Sequence, residues 1–153
     1  MRVHIGTDHA AFEMKNYLVE KLREEGYEVI DHGPAEYDAQ DDYPDYIIPT
    51  AEATVAEFGD GALGVVLGGS GNGEQIAANK VKGCRAALAD CVELAELARE
   101  HNNANVISLG GRFVSNELAL EIVKTFLTTK FSDEERHSRR IQKMTDYENE
   151  KCK

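Results

Sequence analysis

The sequence predicts an α/β sandwich, a five-stranded parallel sheet with helices on both faces and one extra helix at the C-terminal end. Three observations carry that expectation. Short apolar runs alternate with longer amphipathic ones, and the alternation occurs five times along the chain. The third apolar run, ALGVVL (62–67), is continuous rather than alternating, as a strand covered on both faces must be. Helices between successive strands allow right-handed crossovers, which join parallel strands into a doubly wound, Rossmann-like sheet.

Taken in order, RVHIGT (2–7) reads as the first strand and AAFEMKNYLVEKLREEG (10–26) as a helix. Ala11, Met14, Leu18 and Leu22 recur at helical spacing, and Gly26 is a natural C-terminal stop. YEVID (27–31) is the second strand. HGPAEYDAQDDYPD is rich in Asp, Gly and Pro and reads as a loop, with Pro44 placed to open a helix over roughly 45–58. After the third strand a glycine-rich loop leads into EQIAANKV. CRAALA (84–89) is the fourth strand, VELAELAREH (92–101) a helix, and ANVISLG (104–110) the fifth strand. SNELALEIVKTFLTT (115–129) forms a helix with Leu118, Ile122, Val123 and Phe126 on one face.

Ser132 and Glu135 have the spacing of a capping box for a last helix running to about Tyr147. That helix is poor in apolar residues, with Ile141 and Met144 its clearest anchors, so it cannot be a core helix. It either decorates the surface or reaches onto a partner.

The whole chain, 1–153, fits a single domain long enough to bury a core. With 28 acidic against 17 basic side chains the net charge is −11, which argues against a nucleic-acid or membrane-surface binder. A small anionic ligand needs only a few local cations. Cys84, Cys91 and Cys152 show no metal-binding spacing, and an odd count without a disulfide framework fits a reducing cytoplasm. MRVHIGTDHA lacks the apolar region of a secretion signal, and no apolar run approaches the roughly 20 residues of a membrane span.

The stretch LGVVLGGSGNGEQIAANK (63–80) carries the most chemistry. It lies at the carboxyl end of a strand and opens a helix, so its backbone N–H groups can converge on an anion. It matches neither GxGxxG nor GxxxxGK[ST], since Lys80 lies too far downstream. Glu74 leaves two readings open. It complements the helix dipole, or it is a base set beside N–H donors where negative charge develops. Asp8-His9 follows the first strand at the same edge, where Asp8 also suits an N-cap. Arg112, in LGGR, follows the fifth strand there. Arg136 and Arg140, with His137 and Arg139 nearby, share a face of the last helix, fit for a phosphate dianion or for solvent. His101-Asn102 ends a helix at the amino edge of the sheet, the wrong end for a site shared within one chain.

These segments together (GTDHA, DDYPD, GGSGNGEQIAANK, REHNNAN, LGGR and ERHSRR) resemble the ribose-5-phosphate isomerase B family, within the wider ribose/galactose phosphate isomerases. The likeness covers nearly the whole chain. It implies an aldose–ketose isomerase without metal or organic cofactor, a homodimer or dimer of dimers with shared sites, the last helix packing on the partner subunit. In one branch of the family a Cys at the start of the glycine loop is the base. Here that position is Gly68, and the chain resembles the branch in which the loop's closing glutamate, Glu74, takes the proton. The resemblance further implies His101 as proton donor in ring opening and Asn102 as a substrate contact. Asp8 would orient ring hydroxyls, and Gly69, Ser70, Gly71, Asn72 and Gly73 would form the anion hole. His9, Arg112, Arg136 and Arg140 would hold the phosphate or its neighbouring hydroxyls. Ribose 5-phosphate is the default substrate; a four- or six-carbon aldose phosphate, or a sugar-phosphate sensor without catalysis, are the alternatives.

Overall fold

The structure, a computed structural model, describes residues 1–151. Five strands, β1 (Arg2–Gly6), β2 (Glu28–Asp31), β3 (Leu63–Gly68), β4 (Ala86–Leu88) and β5 (Val106–Gly110), form one parallel sheet in the order β2-β1-β3-β5-β4. Six α-helices surround it: α1 (Phe12–Glu24), α2 (Pro44–Glu57), α3 (Asn72–Ala78), α4 (Val92–Asn102), α5 (Asn116–Thr128) and α6 (Glu135–Lys151).

The apolar stripe of α1 forms as its spacing predicts: Ala11, Met14, Leu18 and Leu22 are all buried. The helix ends in a Schellman motif, because Gly26 takes φ +94 while its N–H and that of Tyr27 return to the carbonyls of Arg23 and Leu22. With α4 and α5, this helix covers one face of the sheet, and Ile122, Val123 and Phe126 fill the same core. The opposite face is smaller and built around Ile47, Ala51, Val66, Ala77, Ala78 and Val106 under α2 and α3. There α2 lies close on the strands, since a Cβ at Gly6 or Gly64 would collide with the hydroxyl of Thr50 or Thr54.

Four boundaries differ from the sequence expectation. The fourth strand pairs only over Ala86–Leu88, and the Ala86 N–H and carbonyl, on the outer edge of the sheet, are taken by the Asn79 side chain at 2.8 and 3.0 Å. The fifth begins at Val106, after a turn in which Asn103 has φ 45. The expected capping box does not form. Ser132 Oγ accepts the Glu134 N–H at 3.2 Å and meets His137 Nδ1 at 2.7 Å, while Glu135 pairs with Arg139. The last helix also continues past Tyr147 to Lys151, and it lies across the amino edge of its own chain. Of its expected anchors Ile141 is half-buried and Met144 exposed, whereas His137 is buried.

Candidate active site

The strand order reverses direction between β1 and β3, and an open sheet splays a crevice beyond the carboxyl ends of such a pair. Asp8 follows β1 and the glycine loop follows β3, so both open onto that crevice. Thr7 Oγ1 donates to the Leu67 carbonyl at 2.9 Å and ties the two strand ends together. The loop itself is braced from β5: Gly111 N–H reaches the Gly68 carbonyl at 2.7 Å, Arg112 N–H the Gly69 carbonyl at 3.0 Å, and Ser108 Oγ the Gly71 carbonyl at 2.8 Å. Gly71 has φ +86 and lies against Leu109, where a Cβ has no room.

Glu74 stands in the first turn of α3 and is 4% exposed. Its carboxyl occupies the space that a side chain at Gly68 would fill, since a Cβ built there collides with all three carboxyl atoms. Burial raises its pKa above the ordinary carboxylate range, and the nearby Asp8 charge adds to the rise; its own backbone N–H opposes both. A pKa moved upward toward neutrality suits a general base. The first-turn amides of α3 lack intrahelical partners and face the same crevice end of the sheet.

Asp8 is buried and accepts the Ala10 N–H at 2.9 Å, capping the short turn that leads into α1. His9 Nδ1 lies 2.7 Å from Asp41 Oδ1. A carboxylate can only accept, so Nδ1 carries the proton. Arg112 is exposed and lies over Gly69, with its guanidinium carbon 3.1 Å from where a Cβ would be. Asp8, His9 and Asp41 are also the group, among the described residues, whose ligand atoms lie within 4.8 Å of one another.

A second group assembles at the amino edge. The His101 and His137 rings stack at 4.4 Å, and the Ser132 N–H donates to the Glu100 carbonyl, fastening the approach to α6 onto the end of α4. His137 Nε2 accepts from Arg136 Nε at 3.3 Å, and its Nδ1 faces Ser132 Oγ. Burial lowers the pKa of His137, and the charges of His101, Arg136 and Arg140 lower it further against the opposing charge of Glu134. Arg85 and Arg99 bind the carbonyls of Asn102, Asn103 and Ala104, which fixes the turn after His101.

The expected residues thus fall into two clusters. Asp8, His9, Gly69, Ser70, Gly71, Asn72, Gly73, Glu74 and Arg112 gather at the carboxyl edge, and His101, Asn102, Arg136 and Arg140 at the amino edge. Strands of five or six residues separate them by about 17–20 Å. Sequence reasoning noted His137 only as a neighbour of the arginines and missed Asp41 and Tyr43; the Tyr43 ring and hydroxyl lie 2.6 and 2.7 Å from where a Cβ on Gly73 would be. The acidic DDYPD segment was the one signal that pointed to Asp41 and Tyr43.

Comparison with known proteins gives a consistent result. The family model described as Ribose/Galactose Isomerase matches residues 3–144. A ribose-5-phosphate isomerase B from Mycobacterium tuberculosis is 55% identical over 148 residues, 97% of this chain and 90% of the relative. Ribose-5-phosphate isomerase B from Mycoplasma genitalium, solved with bound ribulose-5-phosphate, superposes with a TM-score of 0.92 at 42% identity, covering 97% of each chain. The Clostridium thermocellum ribose-5-phosphate isomerase B gives a TM-score of 0.91 at 41% identity, covering 98% of this chain and 99% of the other.

Proposed function

The chain belongs to the ribose/galactose isomerase family, and from that premise we propose that it interconverts D-ribose 5-phosphate and D-ribulose 5-phosphate with Glu74 as the base. The observation that carries the assignment of the base is the Glu74 carboxyl, buried where a side chain at position 68 would be and raised in pKa beside Asp8.

The reaction then runs as follows. His101 protonates the ring oxygen as the furanose opens and the C1 hydroxyl gives up its proton to solvent, exposing C1 as an aldehyde, with Asn102 steadying the chain. Asp8 orients the hydroxyls. Glu74 takes the proton from C2, and the electron pair moves through the new C1–C2 double bond onto the aldehyde oxygen. The resulting cis-enediolate is met by N–H groups of Gly69, Ser70, Gly71, Asn72 and Gly73. The C2 hydroxyl proton passes to the O1 oxyanion as protonated Glu74 returns its proton to C1, so that a ketone forms at C2 and C1 becomes a CH2OH group. His9, Arg112, Arg136 and Arg140 hold the phosphate. A helix-dipole role for Glu74 alone would need no burial, and a sensor would need no carboxylate inside an anion hole.

The separation of the two clusters supports a homodimer in which one subunit's His101, Asn102, Arg136 and Arg140 complete the other's crevice. Cys84 and Cys91 are free, and burial pushes the Cys84 thiol up to about 12, consistent with a reducing cytoplasm. No helix among the described residues is long and apolar enough to cross a membrane.

The test is kcat/KM on aldose phosphates of four, five and six carbons, with the Glu74→Gln protein in parallel. Preference for ribose 5-phosphate, lost in the variant while phosphate binding persists, is the expected result. Preference for another chain length would replace the substrate, and turnover by Glu74→Gln at the wild-type rate would remove Glu74 as base.

A further inference from the structure

Binding a phosphate dianion beside Asp8 and Glu74 requires cations that stay charged, and His9 is the candidate whose charge depends most on its neighbours. We propose that Asp41 is a positioning residue for the sugar-phosphate site: it holds the His9 imidazole by Nδ1 in its cationic form and leaves Nε2 as the donor to the phosphate. This rests on the reading of His9 as a phosphate ligand.

The loop after β2 is built to deliver this carboxylate. Asp38 accepts the Gln40 N–H on its side chain at 2.9 Å and the Asp41 N–H on its carbonyl at 3.1 Å, a turn that folds Asp41 back onto a residue 32 positions earlier. Asp41 Oδ1 then takes both the ring Nδ1 of His9 at 2.7 Å and its backbone N–H at 3.2 Å. The Asp41 side chain is 5% exposed, and its Oδ2 is buried with no hydrogen-bond partner among the described residues. A carboxylate so placed is costly unless a cation lies beside it. Anchoring the loop alone would be served as well by a neutral acceptor.

The groups facing His9 come from three segments: Asp41 and the uncharged edge of Tyr37 from the loop after β2, Asp8 from the end of β1, and Arg112 from beyond β5. The Asp41 hydrogen bond raises the His9 pKa most, Asp8 adds to it, and partial desolvation and Arg112 oppose it. With Nδ1 engaged, the ring has only Nε2 to offer a ligand.

The experiment is an NMR titration of the His9 ring, with calorimetric binding of inorganic phosphate at about pH 7.5, in wild type, Asp41→Asn, His9→Asn and the double variant. In the wild type His9 titrates above the ordinary imidazole range; a value at or below that range overturns the proposal without any variant having to fold. In Asp41→Asn the titration falls by roughly one pH unit and phosphate binding weakens about five- to tenfold. In the His9→Asn background, Asp41→Asn changes phosphate affinity no further. An Asp41→Asn effect that persists undiminished there shows that Asp41 acts by another route, and refutes the proposal. Phosphate affinity untouched by His9→Asn instead refutes the phosphate reading beneath it, while a lowered His9 titration in Asp41→Asn would still establish the Asp41–His9 link.

Discussion

Alanine at position 68 separates the role of Glu74 from the stability of the fold. The added Cβ would collide with the carboxyl group of Glu74, the mobile end of its side chain. The carboxyl must retreat by about 1 Å or more to restore ordinary non-bonded contact. Misplacing a reacting group by that distance costs on the order of 10²-fold in rate, about 2.7 kcal/mol of barrier. The fold loses little. Gly68 ends a strand without a positive φ, so restricting the unfolded chain contributes about 0.4–1 kcal/mol in favour of Ala. The expected outcome of Gly68→Ala is therefore a roughly hundredfold fall in kcat for ribulose 5-phosphate formation, with an unchanged or slightly raised urea midpoint. A kcat within about threefold of wild type would mean that the base does not occupy this space. Loss of activity in step with loss of folding would refute the partition argued here.

Two further predictions follow from the same geometry. Mixing Glu74→Gln with His101→Ala subunits should recover about a quarter of wild-type activity, because half the randomly formed dimers are mixed and each then holds one intact site; no recovery after verified exchange would place the site within one chain. Glu74→Gln should also be more stable than wild type at neutral pH. A carboxyl whose pKa is raised on folding binds more protons in the native state between the unfolded and folded values, so its favourable contribution is present at low pH and is lost as pH rises through the folded value. Chemical denaturation of both proteins across the acid range should show their difference in stability shrinking as pH falls and reaching its smallest value by about pH 4, and a constant difference would contradict the raised pKa.

Much of the fold was legible because its signals are local. The stripe of α1, the continuous apolar run of β3 and the glycine after α1 each report on neighbours a few residues away. The start of α6 was not, because a side-chain pairing that the capping-box pattern does not contain decides it: His137, five residues on, draws Ser132 away from a box with Glu135. The site divides in the same way. Glycines, Glu74 and Asp8 announce themselves by position after strands, and the amino-edge placement of His101 raised the question of a second subunit. The pairing of Asp41 with His9 and the occupation of the Gly68 space by Glu74 exist only once the chain is folded, so no spacing rule contained them.

The Asn79 amide has a consequence beyond its own helix. An outer strand of a sheet is a template on which other chains can grow, and most proteins blunt it with charge, proline or distortion. Here one side-chain amide imitates the backbone of the strand that is missing, donating and accepting at Ala86, while Gln75 Nε2 adds a second donor to the same carbonyl at 3.2 Å. The sheet is thereby finished on that side. Copies of this chain that meet at Ala86 then find its backbone groups already engaged, so strand addition there is blocked. Asn79→Ala would reopen the template, and its cost would appear as aggregation on storage before it appeared in turnover.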